Sequence, residues 1–242
     1  MNKMQYLVLI RHGQSAANSA LLKTSACGFY YSVSGADRSV PLTRKGLGQA
    51  DRAGVILSCL FDDVCSFWRA YHSSFKRVTA TLSRIESRLA ASVCRILDNR
   101  LDKRDYGLFW NLTRQGVEAL YPAEWRRYSA EGELHYRPPG GENYADLFER
   151  VDRFFDEEID GAAENVLVIT HSVVVLALLR RLEGLTDAEV VRRYEEMDVP
   201  NGEPIIFCRR GRSKNWRRAP GALFNRAEKI AETRFYLPNS AG

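Results

Sequence analysis

Residues 6–15 read YLVLIRHGQS. Leu7, Val8, Leu9 and Ile10 make an unbroken apolar run, the pattern of a short strand buried on both faces, and the run stops at Arg11, His12 and Gly13. A cation and an imidazole therefore stand where a core strand ends. In open parallel α/β sheets, ligands bind beyond the carboxyl ends of the strands, so a fold of that class places chemistry at this point. Residues 165–172, NVLVITHS, repeat the design with Thr170, His171 and Ser172 after the apolar run. Two strands that each deliver a histidine at the same end are poorly explained by packing alone.

A chain of 242 residues, 45% hydrophobic and 27% charged, has an ordinary globular composition and is long enough for one large α/β domain. The N-terminal stretch lacks the small-residue cleavage site of a secretory signal. No window approaches the roughly 20 apolar residues of a membrane span, so a cytoplasmic protein without a membrane partner is expected. The cysteines number five and show no CxxC spacing. That count argues for free thiols rather than a disulfide framework or a structural zinc site. The formal charge of +5 is local, because Arg209, Arg210, Arg212, Lys214, Arg217 and Arg218 crowd one acid-free window. A domain over residues 1–208 followed by a basic, solvated tail over 209–242 is the resulting expectation. Trp216 and Phe224 interleave with the tail's cations, yet no RNA- or DNA-binding pattern accompanies them, so a nucleic-acid partner is not expected.

Between the two strand-end histidines, helical and strand patterns alternate. Residues 13–37 have no clear period and read as a partly helical turn and a loop overhanging the site. Thr43 is a candidate N-cap for a helix with Leu47, Ala50, Gly54, Ile56, Leu57 and Leu60 on one side. Residues 67–71 read as a second strand. A long helix is expected after it, because Leu82, Ile85, Leu89, Val93, Ile96 and Leu97 follow at spacings of three and four. Its N-terminus would offer free N–H groups to an anion. Residues rich in Trp, Tyr, Arg and Pro, from about 105 to 141, read as an insertion folding over the sheet. Asn143 and Thr186 are candidate N-caps of later helices, residues 173–179 form a very apolar helix, and residues 205–208 a last strand. The predicted architecture is a single α/β domain with a mostly parallel central sheet, helices on both faces, and an insertion over the site.

These residues suit a phosphate monoester. Such a dianion is strongly hydrated and needs converging charged donors, for which the planar fork of arginine is adapted. An imidazole has a reference pKa of about 6.5, and neighbouring cations push it lower, which leaves a ring nitrogen free to attack phosphorus.

At Arg11, His12 and Gly13 the chain resembles the histidine phosphatase superfamily, the phosphoglycerate-mutase-like proteins, whose signature is Arg-His-Gly after the first strand. The likeness extends to Pro41, Leu42, Thr43, Gly46, Gln49 and Ala50, to Ser73, Arg77 and Thr81, to the RPPGGEN turn at residues 137–143, and to His171. Ser172 follows His171 where the family usually has glycine, and Asn143 stands where it has serine. The resemblance implies His12 as nucleophile, Arg11 and Arg77 as phosphate clamps, and His171 as donor to the transferring phosphoryl group. Ser15 and Asn18 match positions that contact substrate near the pocket. The glutamate that donates a proton in many relatives corresponds here to Lys103, and a lysine is a poor acid for this purpose unless strongly desolvated. Asp105 is therefore the expected donor, with Asp102 second; Glu142 is placed among the substrate contacts and is the third choice as acid. The likeness implies a small phosphorylated substrate and neither metal nor other cofactor. The expected reaction is hydrolysis of a phosphate monoester through phosphohistidine. A 2,3-bisphosphoglycerate-dependent phosphoglycerate mutase and a non-catalytic phospho-ligand-binding relative are the alternatives.

Overall fold

The run that opens the chain becomes the strand next to the sheet's centre. The computed structural model describes residues 4–24, 28–61, 68–211, 213 and 215–220. Its strands are β1 (Met4–Arg11), β2 (Trp68–His72), β3 (Val93–Leu97), β4 (Asn165–Thr170), β5 (Pro204–Arg210) and β6 (Arg217–Arg218). They form one sheet in the order β3-β2-β4-β1-β5-β6. The four strands β3, β2, β4 and β1 run parallel, and β5 and β6 add antiparallel pairs at one side.

Alternation along the strands divides the core in two. Leu7 and Leu9 of β1 face the same cluster as Val166 and Val168 of β4, and this cluster is covered by helices α6 (Tyr144–Phe154) and α7 (Ser172–Glu183). Val8 and Ile10, with Leu167 and Ile169, face the other way against α2 (Arg44–Phe61) and α3 (Lys76–Glu86). Because successive strand side chains point to opposite faces, each four-residue apolar run serves both cores. The whole of β4 is buried. The expected mostly parallel sheet with helices on both faces is therefore the observed one.

Four further α-helices occur among the described residues: α1 (Ala16–Lys23), the pair α4 (Arg114–Leu120) and α5 (Pro122–His135), and α8 (Asp187–Glu195) after α7. The caps follow the sequence: Thr43 Oγ1 accepts from Gly46 N, and Asn143 and Thr186 each close a capping box. In two places the structure departs from expectation. The helix entered at Lys76 ends at Glu86, and Val93–Leu97 is instead the edge strand β3, paired in parallel with β2. A short run at spacings of three and four fits a half-exposed edge strand as well as a helix, and the open backbone edge of β2 decides for the strand.

The sheet also continues past Cys208. Arg209 is only 2% exposed. Its guanidinium donates to Gln5 Oε1 at 2.6 Å and to the carbonyls of Ile159, Asp160, Ala162 and Ser213, and it stacks over Trp216 at 4.2 Å. Arg218, in β6, pairs with Glu183 at 2.9 Å. The start of the supposed solvated tail is thus built into the sheet; Arg212, Lys214 and Phe224 lie outside the described residues, as do Phe67, Cys27 and Cys65. The described cysteines, Cys59, Cys94 and Cys208, are free thiols. Among the described residues no helix is long and apolar enough to cross a membrane.

The loop after β1 is pressed onto the first turn of α2. A Cβ on Gly46 would lie 2.1 Å from the Gln14 carbonyl oxygen, and one on Gly13 would lie 2.2 Å from the Gly46 oxygen. Gly48, two residues further along the same helix, has open space around it. Gly46→Ala is expected to cost about 1–3 kcal/mol by overpacking, whereas Gly48→Ala should stabilise by about 0.5–1 kcal/mol through helix propensity. Urea unfolding of the two variants checks both signs.

Candidate active site

Register places the two histidines side by side. Arg11 of β1 pairs with Thr170 of β4, so the residues that follow, His12 and His171, leave the sheet together; His12 N donates to Thr170 O at 2.9 Å. Their ring centroids are 5.1 Å apart. On the other side of β4, His72 pairs with Ile169, which brings Ser73 level with the same end. Ser73 Oγ lies 3.0 Å from His171 Nε2. All three groups are buried.

Arg77 reaches this point from the first turn of α3. It is 3% exposed, its Nε donates to His12 Nε2 at 3.3 Å, and its guanidinium lies 4.5 Å from the Phe75 ring centre. Thr81, one turn later, fixes the start of the loop: its Oγ1 accepts from Gly13 N at 3.1 Å and donates to Arg77 O at 2.7 Å. Arg11 Nη1 donates to Val199 O at 2.7 Å, while its buried Nε has no hydrogen-bond partner among the described residues. Arg11, His12, Arg77 and His171, separated along the chain, line one cavity of about 920 Å³ at the carboxyl end of the parallel strands.

The hydrogen bonds define which ring nitrogen can react. His12 Nδ1 lies 2.7 Å from the Gly13 carbonyl, an acceptor only, so the proton resides on Nδ1 and the lone pair on Nε2. That lone pair faces Arg77 and the cavity. Nε2 of His171 is paired with Ser73 Oγ, and its Nδ1 is a buried atom with no hydrogen-bond partner among the described residues. Burial, and next the charge of Arg77, hold both imidazoles well below their ordinary value of 6.5.

The folded protein keeps these rings neutral while the unfolded chain takes up protons below pH 6.5, so stability is full above that value and is lost as pH falls. Each ring should cost about 1.4 kcal/mol per pH unit until its folded-state value is reached. Unfolding measured between about pH 7 and 5 should therefore be steeper in the native protein than in the His12→Gln/His171→Gln double variant.

The other expected site residues are distributed differently. Ser15 and Asn18 do line the cavity, but their side chains also close the capping box of α1: Ser15 Oγ accepts from Asn18 N at 3.2 Å, and Asn18 Oδ1 accepts from Ser15 N at 3.1 Å. Asp105 is exposed and is not among the cavity-lining residues; its Oδ1 accepts from Gly107 N at 2.8 Å, the role of an aspartate in a turn. The expectation that Asp105 supplies the proton thus lacks the geometry. Glu142 also stands outside the cavity, held by Arg150 at 2.6 Å, and Asp102 turns to Ser74 N at 3.0 Å and to Arg38 at 2.9 Å.

In their place the cavity holds Lys103 and a carboxylate that sequence reasoning missed, Asp37. Asp37 opens a single 3-10 turn, Asp37–Ser39, in the loop between α1 and α2. Its Oδ1 accepts from Arg77 Nη1 at 2.9 Å and its Oδ2 from Lys103 Nζ at 2.7 Å, so it bridges the two cations. Lys103 also lies 5.1 Å from the centres of both the Tyr106 and Trp110 rings. Burial pulls the lysine below its ordinary value, partly opposed by Asp37. A second unexpected contact is Asn201, whose Nδ2 donates to His12 O at 2.8 Å and locks the motif's backbone. Neither Asp37 nor Asn201 lies in a periodic segment, and their partners are more than thirty residues distant, so no local pattern marks them.

A family model, the histidine phosphatase superfamily (branch 1), matches residues 7–202. The chain is 30% identical over 211 residues to a 2,3-bisphosphoglycerate-dependent phosphoglycerate mutase of Cytophaga hutchinsonii, covering 84% of this chain and 87% of the relative. It is 35% identical over 212 residues to 2,3-bisphosphoglycerate-dependent phosphoglycerate mutase 2 of Gloeobacter violaceus, covering 84% and 85%. Among solved structures, the fold is similar to the α-ribazole phosphatase of Shigella flexneri, with a TM-score of 0.62, 21% identity and coverage of 87% and 97%. It is also similar to a mycobacterial glucosyl-3-phosphoglycerate phosphatase, with a TM-score of 0.58, 21% identity and coverage of 89% and 96%. With the Arg-His-Gly turn, the second histidine and the buried arginine gathered at one sheet end, this chain belongs to the histidine phosphatase superfamily.

Proposed function

We propose that the protein is a phosphatase that hydrolyses a small phosphate monoester through a phosphohistidine on His12. The observation that carries this reading is the state of the His12 ring: Nδ1 is anchored at 2.7 Å on Gly13 O, which leaves the lone pair on Nε2, where Arg77 Nε meets it inside the cavity. A monoester dianion entering there would meet the Arg77 guanidinium beside His12 Nε2, together with Arg11 Nε and His171 Nδ1, neither of which has a partner among the described residues. The lone pair of Nε2 attacks phosphorus, and charge spreading over the equatorial oxygens is met by fixed cations rather than by water. Nucleophilic attack puts positive charge on the imidazole, which the Gly13 carbonyl stabilises through Nδ1–H. Water then cleaves the phosphorus–nitrogen bond.

The names of the sequence relatives favour a second reading, a phosphoglycerate mutase that returns the phosphoryl group to a bound product. Lys103 weighs against it, because such mutases resemble this chain in its motifs but keep a glutamate at that position. The two readings differ in product. A panel of sugar phosphates, nucleotides and phosphoglycerates should yield inorganic phosphate, and 3-phosphoglycerate with a 2,3-bisphosphoglycerate primer should give no 2-phosphoglycerate. Isomerisation without phosphate release would decide for the mutase.

A further inference from the structure

Cleaving an alkyl phosphate expels an alkoxide, which needs a proton as it leaves. The three carboxylates expected from the sequence as donors, Asp102, Asp105 and Glu142, do not line the cavity. Of the acids that do, Glu195 and Asp198 are exposed, and Asp37 has an oxygen committed to each of two cations, the arrangement of an ionised acceptor. The phenols are poorer donors: burial lifts Tyr31 to about 12 and Tyr106 well above the ordinary range, and Tyr106 Oη is within 2.9 Å of Tyr194 Oη.

We propose that Lys103 is the general acid and base of this site, positioned by Asp37. The inference rests on the phosphohistidine reading above. The ammonium group is held 2.7 Å from Asp37 Oδ2 and against the Tyr106 and Trp110 rings, and the side chain is 19% exposed. It feels His12, His171 and Arg77 as well, since each of the two imidazoles is lowered in part by the charge of Lys103, and Lys103 in turn by that of Arg77. Asp37 and Asp105 are the anions acting on it in the opposite sense. Burial acts on Lys103 in the direction that makes a lysine a stronger acid, and the ion pair with Asp37 opposes it.

The steps balance. In the first, the Nε2 lone pair of His12 forms the nitrogen–phosphorus bond, the bond from phosphorus to the ester oxygen breaks with its electrons on that oxygen, and a proton passes to it from Lys103 Nζ. An alcohol leaves, and Lys103 is left as a neutral amine. In the second, a water oxygen attacks phosphorus, Lys103 takes the water's proton, and the nitrogen–phosphorus electrons return to His12. Phosphate leaves, and the ammonium is restored.

Two substrates of nearly equal size separate the need for an acid from binding: 4-nitrobenzyl phosphate, which expels an alkoxide, and 4-nitrophenyl phosphate, whose leaving group needs little protonation. In Lys103→Met and in the charge-keeping Lys103→Arg, kcat/KM for the benzyl ester should fall about 100-fold further than for the phenyl ester. The native kcat/KM for the benzyl ester should decline as pH rises through the lowered lysine value, a limb absent from both variants and moved to lower pH in Asp37→Asn. Equal losses on the two esters would overturn the proposal and leave Lys103 as an anion-binding cation. So would a native enzyme that forms phosphoenzyme from the phenyl ester but not from the benzyl one. Absence of phosphoenzyme from either ester would instead defeat the phosphohistidine reading itself.

Discussion

His12→Ala is expected to lower phosphate release by at least about 10⁴-fold and to leave no acid-labile phosphate on the protein after mixing with labelled substrate. The size follows from what the ring does. It forms the bond to phosphorus, and the arginines and His171 around it stabilise a transition state that cannot be reached without it. Residual turnover would come only from water attacking a phosphate held by the remaining donors. Because the ring is 4% exposed, the substitution also leaves a cavity at the sheet end, so folding is checked by near-ultraviolet circular dichroism and by the isosteric His12→Gln. A variant that folds and keeps a tenth of native activity would remove His12 as nucleophile.

For Arg77→Ala, a fall in kcat of about 10²–10³-fold is expected, the usual loss for one preorganised donor aimed at developing negative charge. Arg77 touches His12 Nε2, Asp37 and the Phe75 ring at once, so the variant also reports on the electrostatics of the site. After burial, the charge of Arg77 is the next cause keeping His12 neutral. Its removal should raise the His12 value toward 6.5, and the acid limb of the kcat/KM profile should move up with it. A large loss of rate with an unmoved acid limb would place Arg77 away from the nucleophile. Arg77→Lys keeps the charge but not the fork, and should restore the limb more fully than the rate.

How much of this was legible in advance depends on whether a residue's role is set by its neighbours along the chain. Strand-end chemistry at Arg11, His12 and His171 could be read because a four-residue apolar run is a local signal of a buried strand, and the residues after it inherit the strand's end. The helix caps Thr43, Asn143 and Thr186 were equally readable, since a cap bonds within three residues of itself. Residues 93–97 were misread because helical and strand spacings coincide over so short a run. Arg209 reads as tail from sequence because a cation in a basic stretch looks like a solvated one, whereas its five acceptors come mostly from distant backbone and from Gln5.

The buried strands that end at His12 and His171 and the alternation of core-facing side chains along them were determined by the amino-acid pattern itself, through periodicity and the burial it demands, whereas the order of the strands in the sheet came from tertiary pairing. The proton inventory of the cavity was decided by tertiary structure alone. Asp37 and Lys103 meet across 66 residues of chain, and Asp105, two residues from Lys103, turns outward to close its own turn. A side chain's direction at a loop is set by backbone turns and distant partners rather than by spacing, so which of two neighbouring charged residues enters a cavity is known only when the fold is.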